Sequence, residues 1–224
     1  MSNFNQLKAD TMAFIGGEGF DELESQLKGL IAMAESQINR DLTLRAQRKR
    51  VTGTLVADVC TIPVPADYLL PLMFRVRSPA GGDWVQLNLR TQEYATSAWP
   101  DPDYRAPARL YVVEADIIET YPVSYLAYAY EFRYKGRIPF LSTVNQENWW
   151  TRNAYDLLLS AVILQAAKFI QDDRQSNLVQ IWGGTYKNAA EALLEQDRRS
   201  SRDAYESPKQ PRATPAPQAP QGRE

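Results

Sequence analysis

The sequence predicts an α+β protein in which helices from both ends of the chain form a bundle around an inserted, small antiparallel β domain, followed by a Pro-rich C-terminal tail that is extended or disordered. Three observations carry this expectation. Apolar residues recur at gaps of three and four before residue 50 and after residue 142, the stretch between them alternates with period two, and the final segment holds Pro208, Pro211, Pro215, Pro217 and Pro220. The predicted organisation is therefore residues 1–50 as N-terminal helices, 51–142 as the β domain, 143–204 as C-terminal helices and 205–224 as the tail.

In the first segment, Asp21 is placed to cap a helix whose apolar positions are Leu23, Leu27, Leu30, Ile31, Ala34, Ile38 and Leu42. These form one stripe and leave Glu24, Lys28, Glu35 and Arg40 outside it. A shorter helix over Phe4 to Ile15 precedes it, broken at Gly16-Gly17.

The second segment is rich in proline and turn residues. Leu126, Tyr128, Tyr130, Phe132 and Tyr134 alternate with Ala127, Ala129, Glu131, Arg133 and Lys135, the pattern of a half-buried strand. Strands over Leu72–Arg77 and Trp84–Leu89 flank a hairpin turn at Gly81-Gly82-Asp83. Further strands fit Leu55–Ile62, Leu110–Val113 and Ile117–Thr120, with no long helix between them.

Helix returns in the third segment. Tyr155 to Ile170 is apolar on nearly every side and predicts a central helix surrounded by partners, interrupted by Asp172-Asp173. Its 11 most apolar residues, Leu157 to Ala167, fall well short of the roughly 20 that a membrane span needs. A last helix carries Leu178, Ile181, Trp182, Tyr186, Ala189, Ala190 and Leu193 on one face, with Gly183-Gly184 inside the pattern. It ends near Arg198, Arg199 and Arg202, where cations suit the negative end of the dipole.

Composition removes several classes of chemistry. The 224 residues include no histidine, which excludes Ser-His-Asp and Cys-His nucleophile systems and the commonest zinc ligand. A single cysteine, Cys60, excludes an internal disulfide and reads as a small buried hydrophobe. Against 27 acidic side chains stand 25 basic ones, and no segment pools either sign, so no segment shows the footprint of phosphate binding. The N-terminus lacks the cationic start and apolar core of a secretory signal, and a soluble protein made in a cytoplasm is expected. No glycine pair continues into a nucleotide-binding motif. Asp101 with Asp103, and Glu114 with Asp116 and Glu119, could be paired carboxylates for glycoside hydrolysis or a cation, but turn chemistry accounts for their setting. No catalytic, metal or cofactor-binding residues are assigned and no cofactor is expected.

Two groups suggest contacts with other protein instead. Arg45, Arg48, Lys49 and Arg50 put four cations into six residues, fitting a solvated helix end or a charge-paired subunit contact. Trp149, Trp150, Trp182 and Tyr186 are large amphipathic rings of the kind that serve both cores and interfaces. The expected subunit interface thus comprises Arg45, Arg48, Arg50, Trp149, Trp150, Trp182 and Tyr186.

Four segments, taken in order, resemble the head-to-tail adaptor (connector) proteins of tailed bacteriophages. They are LIAMAESQINRDL (30–42), VPADYLLPLMFRV (64–76), RLYVVEADIIETYPVSYLAYAYEFRYKGRIPFLS (109–142) and YDLLLSAVILQAAKFIQDD (155–173), the last followed by Trp182, Tyr186, Ala189 and Asp197-Arg198-Arg199. The resemblance implies a non-enzymatic virion protein, a dodecameric ring below the portal that joins head to tail. Its implied partners are the portal protein, the next tail, nozzle or stopper protein, further copies of itself, and double-stranded DNA passing through the lumen without sequence-specific binding; no membrane is involved. Arg198, Arg199, Arg202, Tyr205, Pro208 and Pro211 are the expected portal-binding residues. Alternatives are another neck ring, such as a stopper or tail terminator, a virion-associated glycan-cleaving enzyme using the acidic pairs, or a DNA-packaging accessory acting through Arg45–Arg50.

Overall fold

The two N-terminal helices form where the apolar spacing places them, as α1 (Phe4–Ile15) and α2 (Asp21–Asp41). The computed structural model describes residues 3–15, 21–169 and 174–205. The expected breaks at Gly16-Gly17 and Asp172-Asp173, and the tail beyond Tyr205, lie outside the described residues. The α2 stripe is buried as expected, from Leu23 through Leu27, Ile31, Ala34 and Ile38 to Leu42. Glu35 departs from the expectation. It is fully buried rather than solvated, because the segment 138–148 lies over that side of the helix and supplies hydrogen-bond donors.

Three more helices complete the bundle. Helix α4 (Trp149–Asn153) starts at Asn148, whose side chain accepts from the Thr151 N–H, and α5 (Tyr155–Phe169) follows at once. Leu157, Leu158, Ala161, Val162, Ile163 and Ala166 of α5 are all buried, each large aliphatic contributing about 1.5–3 kcal/mol by leaving water. Helix α6 (Arg174–Tyr205) lies against α5 through Trp182, Tyr186, Ala189, Ala190, Leu193 and Leu194. Ile181, expected on that face, points outward and is 64% exposed. The helix passes through Gly183 and Gly184 without interruption.

The middle of the chain builds seven strands: β1 (Arg48–Thr54), β2 (Thr61–Pro63), β3 (Tyr68–Arg77), β4 (Val85–Leu89), β5 (Leu110–Glu114), β6 (Ile117–Tyr121) and β7 (Ala129–Gly136). Their order is β1-β7-β3-β4-β5-β6-β2. The β3–β4 hairpin forms around Gly81 and Gly82, whose φ of 90° and 102° needs glycine.

Four expectations for this region need correction. The sheet is not purely antiparallel, since β4 and β5 pair in parallel. That pairing requires a crossover, and α3 (Gln92–Ala98), capped by Thr91, provides it. Of the predicted strand Leu55–Ile62 only Thr61 and Ile62 are in a strand, β2; residues 55–60 are the connection from β1, turned at Asp58 with φ 60°. The segment around Arg45–Arg50 is not a helix end: a single 3-10 turn (Arg45–Gln47) leads directly into β1. Finally, the aromatic strand begins at Ala129, and its second face is not simply solvated, because Glu131 and Lys135 are buried.

The sheet curls around Phe74, Val76, Leu87, Tyr111, Phe132 and Tyr134, a core separate from that of the helices. One polar junction between them centres on Asn39. Asn39, buried near the end of α2, accepts from Gln47 Nε2 (3.2 Å), where the chain leaves the bundle, and from the Ile138 N–H (3.1 Å), where it returns.

Candidate interaction surfaces

The expected contact residues fall into four settings. Arg45 is held by its own chain, with Nε donating to Asp197 Oδ1 at 3.2 Å and Nη1 to the Ser200 carbonyl at 3.2 Å. With Trp149, Asn153, Leu193 and Gln196 it lines a cleft of about 210 Å³ beside α6. Trp149 is half-buried there and meets Trp150 edge to face, with centroids 5.1 Å apart. Trp150 is a core residue, 0% exposed, so it supports the surface from beneath rather than forming it.

Trp182 and Tyr186 are half-buried on α6 and tie that helix to the others. Trp182 packs edge-on to Phe14 of α1 at 5.1 Å. The Tyr186 hydroxyl donates to Asp41 Oδ2 at 2.8 Å, and burial together with the Asp41 carboxylate raises its pKa above the ordinary tyrosine value. Arg198 and Arg199 are exposed near the end of α6, where Arg199 Nε donates to Glu195 Oε1 at 3.1 Å. Arg202 and Tyr205 lie in the last turn of α6, and their side chains, with Pro208 and Pro211, fall outside the described residues.

Arg48 and Arg50 stand elsewhere, on β1, and the strand register shows what surrounds them. Across β3, β7 and β1 the outward rows read Arg77–Ala129–Thr54, then Arg75–Glu131–Thr52. The next two are Met73–Arg133–Arg50 and Leu70–Lys135–Arg48. Glu131 lies beneath the arginines, accepting from Arg75 Nη2 at 2.9 Å and Arg133 Nε at 2.6 Å, with Arg50 Nη1 at 3.9 Å. Arg75, helped by Arg133, holds the Glu131 carboxyl below its usual pKa range. Arg75 also lies over the Trp84 ring, 4.7 Å from its centroid. At the bundle end of this face Lys135 is buried, and burial lowers its pKa against the opposing pull of Asp41.

Sequence reasoning singled out Arg48 and Arg50 within the run Arg45–Arg50 but did not join them to Arg75, Arg77 and Arg133, because those come from other strands and only the register brings them together. A second signal was the alternation Glu131, Arg133, Lys135 on the non-aromatic side of β7. The acidic pairs behave as turns: Asp101 Oδ1 accepts from the Asp103 N–H at 2.9 Å, and Glu114 and Asp116 flank Ala115 at φ 46°. Among the described residues no group of His, Cys, Asp or Glu has the arrangement of a metal site.

The profile of one protein family, described as SU10 adaptor protein, matches residues 2–212. The chain belongs to the SU10 adaptor protein family. Membership makes it a bacteriophage structural protein, a virion component that contacts other virion components. No match was found among curated proteins. The adaptor family match takes in the helical bundle, the curled sheet and the whole of α6. No described helix of this adaptor is long and apolar enough to cross a membrane.

Proposed function

We propose that this adaptor joins head to tail: copies form a ring below the portal, the ring seats the next tail, nozzle or stopper protein, and DNA passes through its lumen. The observation that carries the reading is the extent of the family match, which spans both cores and continues past α6 to residue 212. Helix α6 supports a ring. At 32 residues it is about 48 Å long, yet among its described residues none is fully buried by its own chain. Val179 and Ile181 face outward at 40% and 64% exposure, as do Phe14 of α1 and Met33 of α2. A neighbouring copy would cover such positions, and heterologous contacts of this kind close into rings.

In this reading Trp149, Trp182, Tyr186 and the Arg45 cleft lie at or beside the subunit contact. The end of α6, with Arg198, Arg199, Arg202 and Tyr205, and the tail with Pro208 and Pro211, reach the portal. Proline restricts the unbound tail and so lowers the entropy lost when it docks. Chain lacking residues 206–224 is expected to fold normally but to incorporate poorly into portal-bearing heads, scored by cryo-EM or by adaptor content of purified particles. Undiminished incorporation removes the tail from the contact. A full-length chain that ignores portal-bearing heads removes the head-to-tail role itself.

A further inference from the structure

We propose that the outward face of β1, β7 and β3 seats the phosphate backbone of duplex DNA without reading its sequence. The adaptor reading supplies the source of the DNA; the surface itself stands on the register and side-chain contacts.

Five guanidinium groups, Arg48, Arg50, Arg75, Arg77 and Arg133, come to one side of three neighbouring strands in a chain whose net charge is −2. The carboxylate among them, Glu131, is buried and occupied by Arg75 and Arg133, so it orders the cations rather than presenting a negative charge to a ligand. Arg75 is further fixed by stacking on Trp84. Thr52 of a central row and Thr54 of the end row beside Arg77 add hydroxyl donors suited to phosphate oxygens.

Shape and composition favour DNA over an acidic protein. A stable protein–protein patch needs an apolar centre, whereas here the centre is charged, Met73 is half-buried and Leu70 stands at the rim. Protein–DNA surfaces are more polar and much more cationic, as this one is. Rows two residues apart are spaced by about 7 Å and strands by about 4.8 Å, so the three rows clear of the buried Lys135 form a plate about 14 Å long, with Arg48 at its bundle end. Being continuous with β4, the plate is too broad to enter a groove about 12 Å wide, so it touches backbone and not base edges.

The test uses the full-length chain and a random-sequence duplex two to three helical turns long, followed by fluorescence anisotropy across a salt series. With about four phosphates neutralised, log affinity should fall against log salt with a slope near −3.6, roughly a hundredfold loss between about 50 and 200 mM. Arg48→Glu with Arg77→Glu, in the rows flanking the Glu131 contacts, should weaken binding at least about tenfold and flatten the slope by about 2. The milder pair Arg48→Gln and Arg77→Gln should fall between, with unchanged melting temperature. Arg198→Glu with Arg199→Glu, on α6, should leave DNA affinity unchanged.

Wild-type chain that fails to bind duplex at about 50 mM salt, or face variants that bind with the wild-type slope, overturn the proposal. Loss of head incorporation in the face variants without any DNA affinity in the wild type overturns it in favour of an acidic protein partner. Incorporation of the wild-type chain into heads is scored separately, so this surface can fail while the adaptor reading stands.

Discussion

The hydrogen-bond partners of Glu35 are neutral: the Leu141 N–H donates at 3.0 Å and Asn148 Nδ2 at 2.5 Å. Burial outweighs both donors and pushes its pKa from 4.5 up to about 7. An acid that holds its proton more tightly when folded stabilises the fold fully below its unfolded pKa, here about 4.5, and loses that contribution as pH rises through about 7. Glu35→Gln keeps the group neutral at every pH. Relative to wild type the variant should therefore gain stability between pH 4.5 and pH 8, by up to about 3 kcal/mol, seen in urea melts at the two values. Any misfit of the new amide costs the same at both, so a constant difference would reject the account. The helical spacing identified the α2 stripe correctly but put Glu35 in water, because the residues that bury it arrive from 138–148, about a hundred positions along the chain. Periodicity records which side of a helix is apolar; it does not record which polar side chain meets a donor brought in by another segment.

Helix α6 shows how an element can be legible while its energetics are not. Apart from Ile181 its face follows from spacing, and the helix runs through residues 183 and 184 although two adjacent glycines weaken a helix by roughly 0.5–1 kcal/mol each relative to alanine. A Cβ built on either glycine meets nothing within 4 Å in the single chain. Gly183→Ala and Gly184→Ala should each raise the stability of the isolated chain by about that amount, read as a higher melting temperature. If copies pack along α6 as proposed, the same substitutions should hinder incorporation into heads while stabilising the monomer. A fall in monomer stability would show that the glycines serve the fold itself. The strands were less legible than the helices. Alternation located β3, β4, β5, β6 and most of β7, whereas β1 was hidden in a run of cations and α3 between two turn-rich stretches. Three consecutive cations at the start of a strand look like a solvated helix end until the partner strand is known. A seven-residue crossover helix is too short to establish a period.

At the scale of the whole molecule, the α+β architecture and membership of a phage adaptor family agree with what pattern and order suggested, while the cationic face required register. Pairing β1 and β3 with β7 turns arginines spread over 86 residues, from Arg48 to Arg133, into one surface. The junction between the cores is equally a product of tertiary structure. Asn39 accepts from Gln47 on the outgoing segment and from Ile138 on the returning one, and its own Nδ2 donates to the Glu35 carbonyl at 2.9 Å. Asn39→Ala would leave the buried Ile138 N–H and the Gln47 amide without that acceptor. At about 1–3 kcal/mol for each buried donor left unpaired, a loss of about 2–6 kcal/mol is expected. Asn39 bonds both the outgoing and the returning segment, so the loss should also reduce the cooperation of the two cores. Far-UV circular dichroism, dominated by the helices, and near-UV signals from the tyrosine-rich sheet should melt together in the wild type and separate in Asn39→Ala. Coincident melts with stability lowered by less than about 0.5 kcal/mol would mean that packing, and not this asparagine, binds bundle and sheet into one unit.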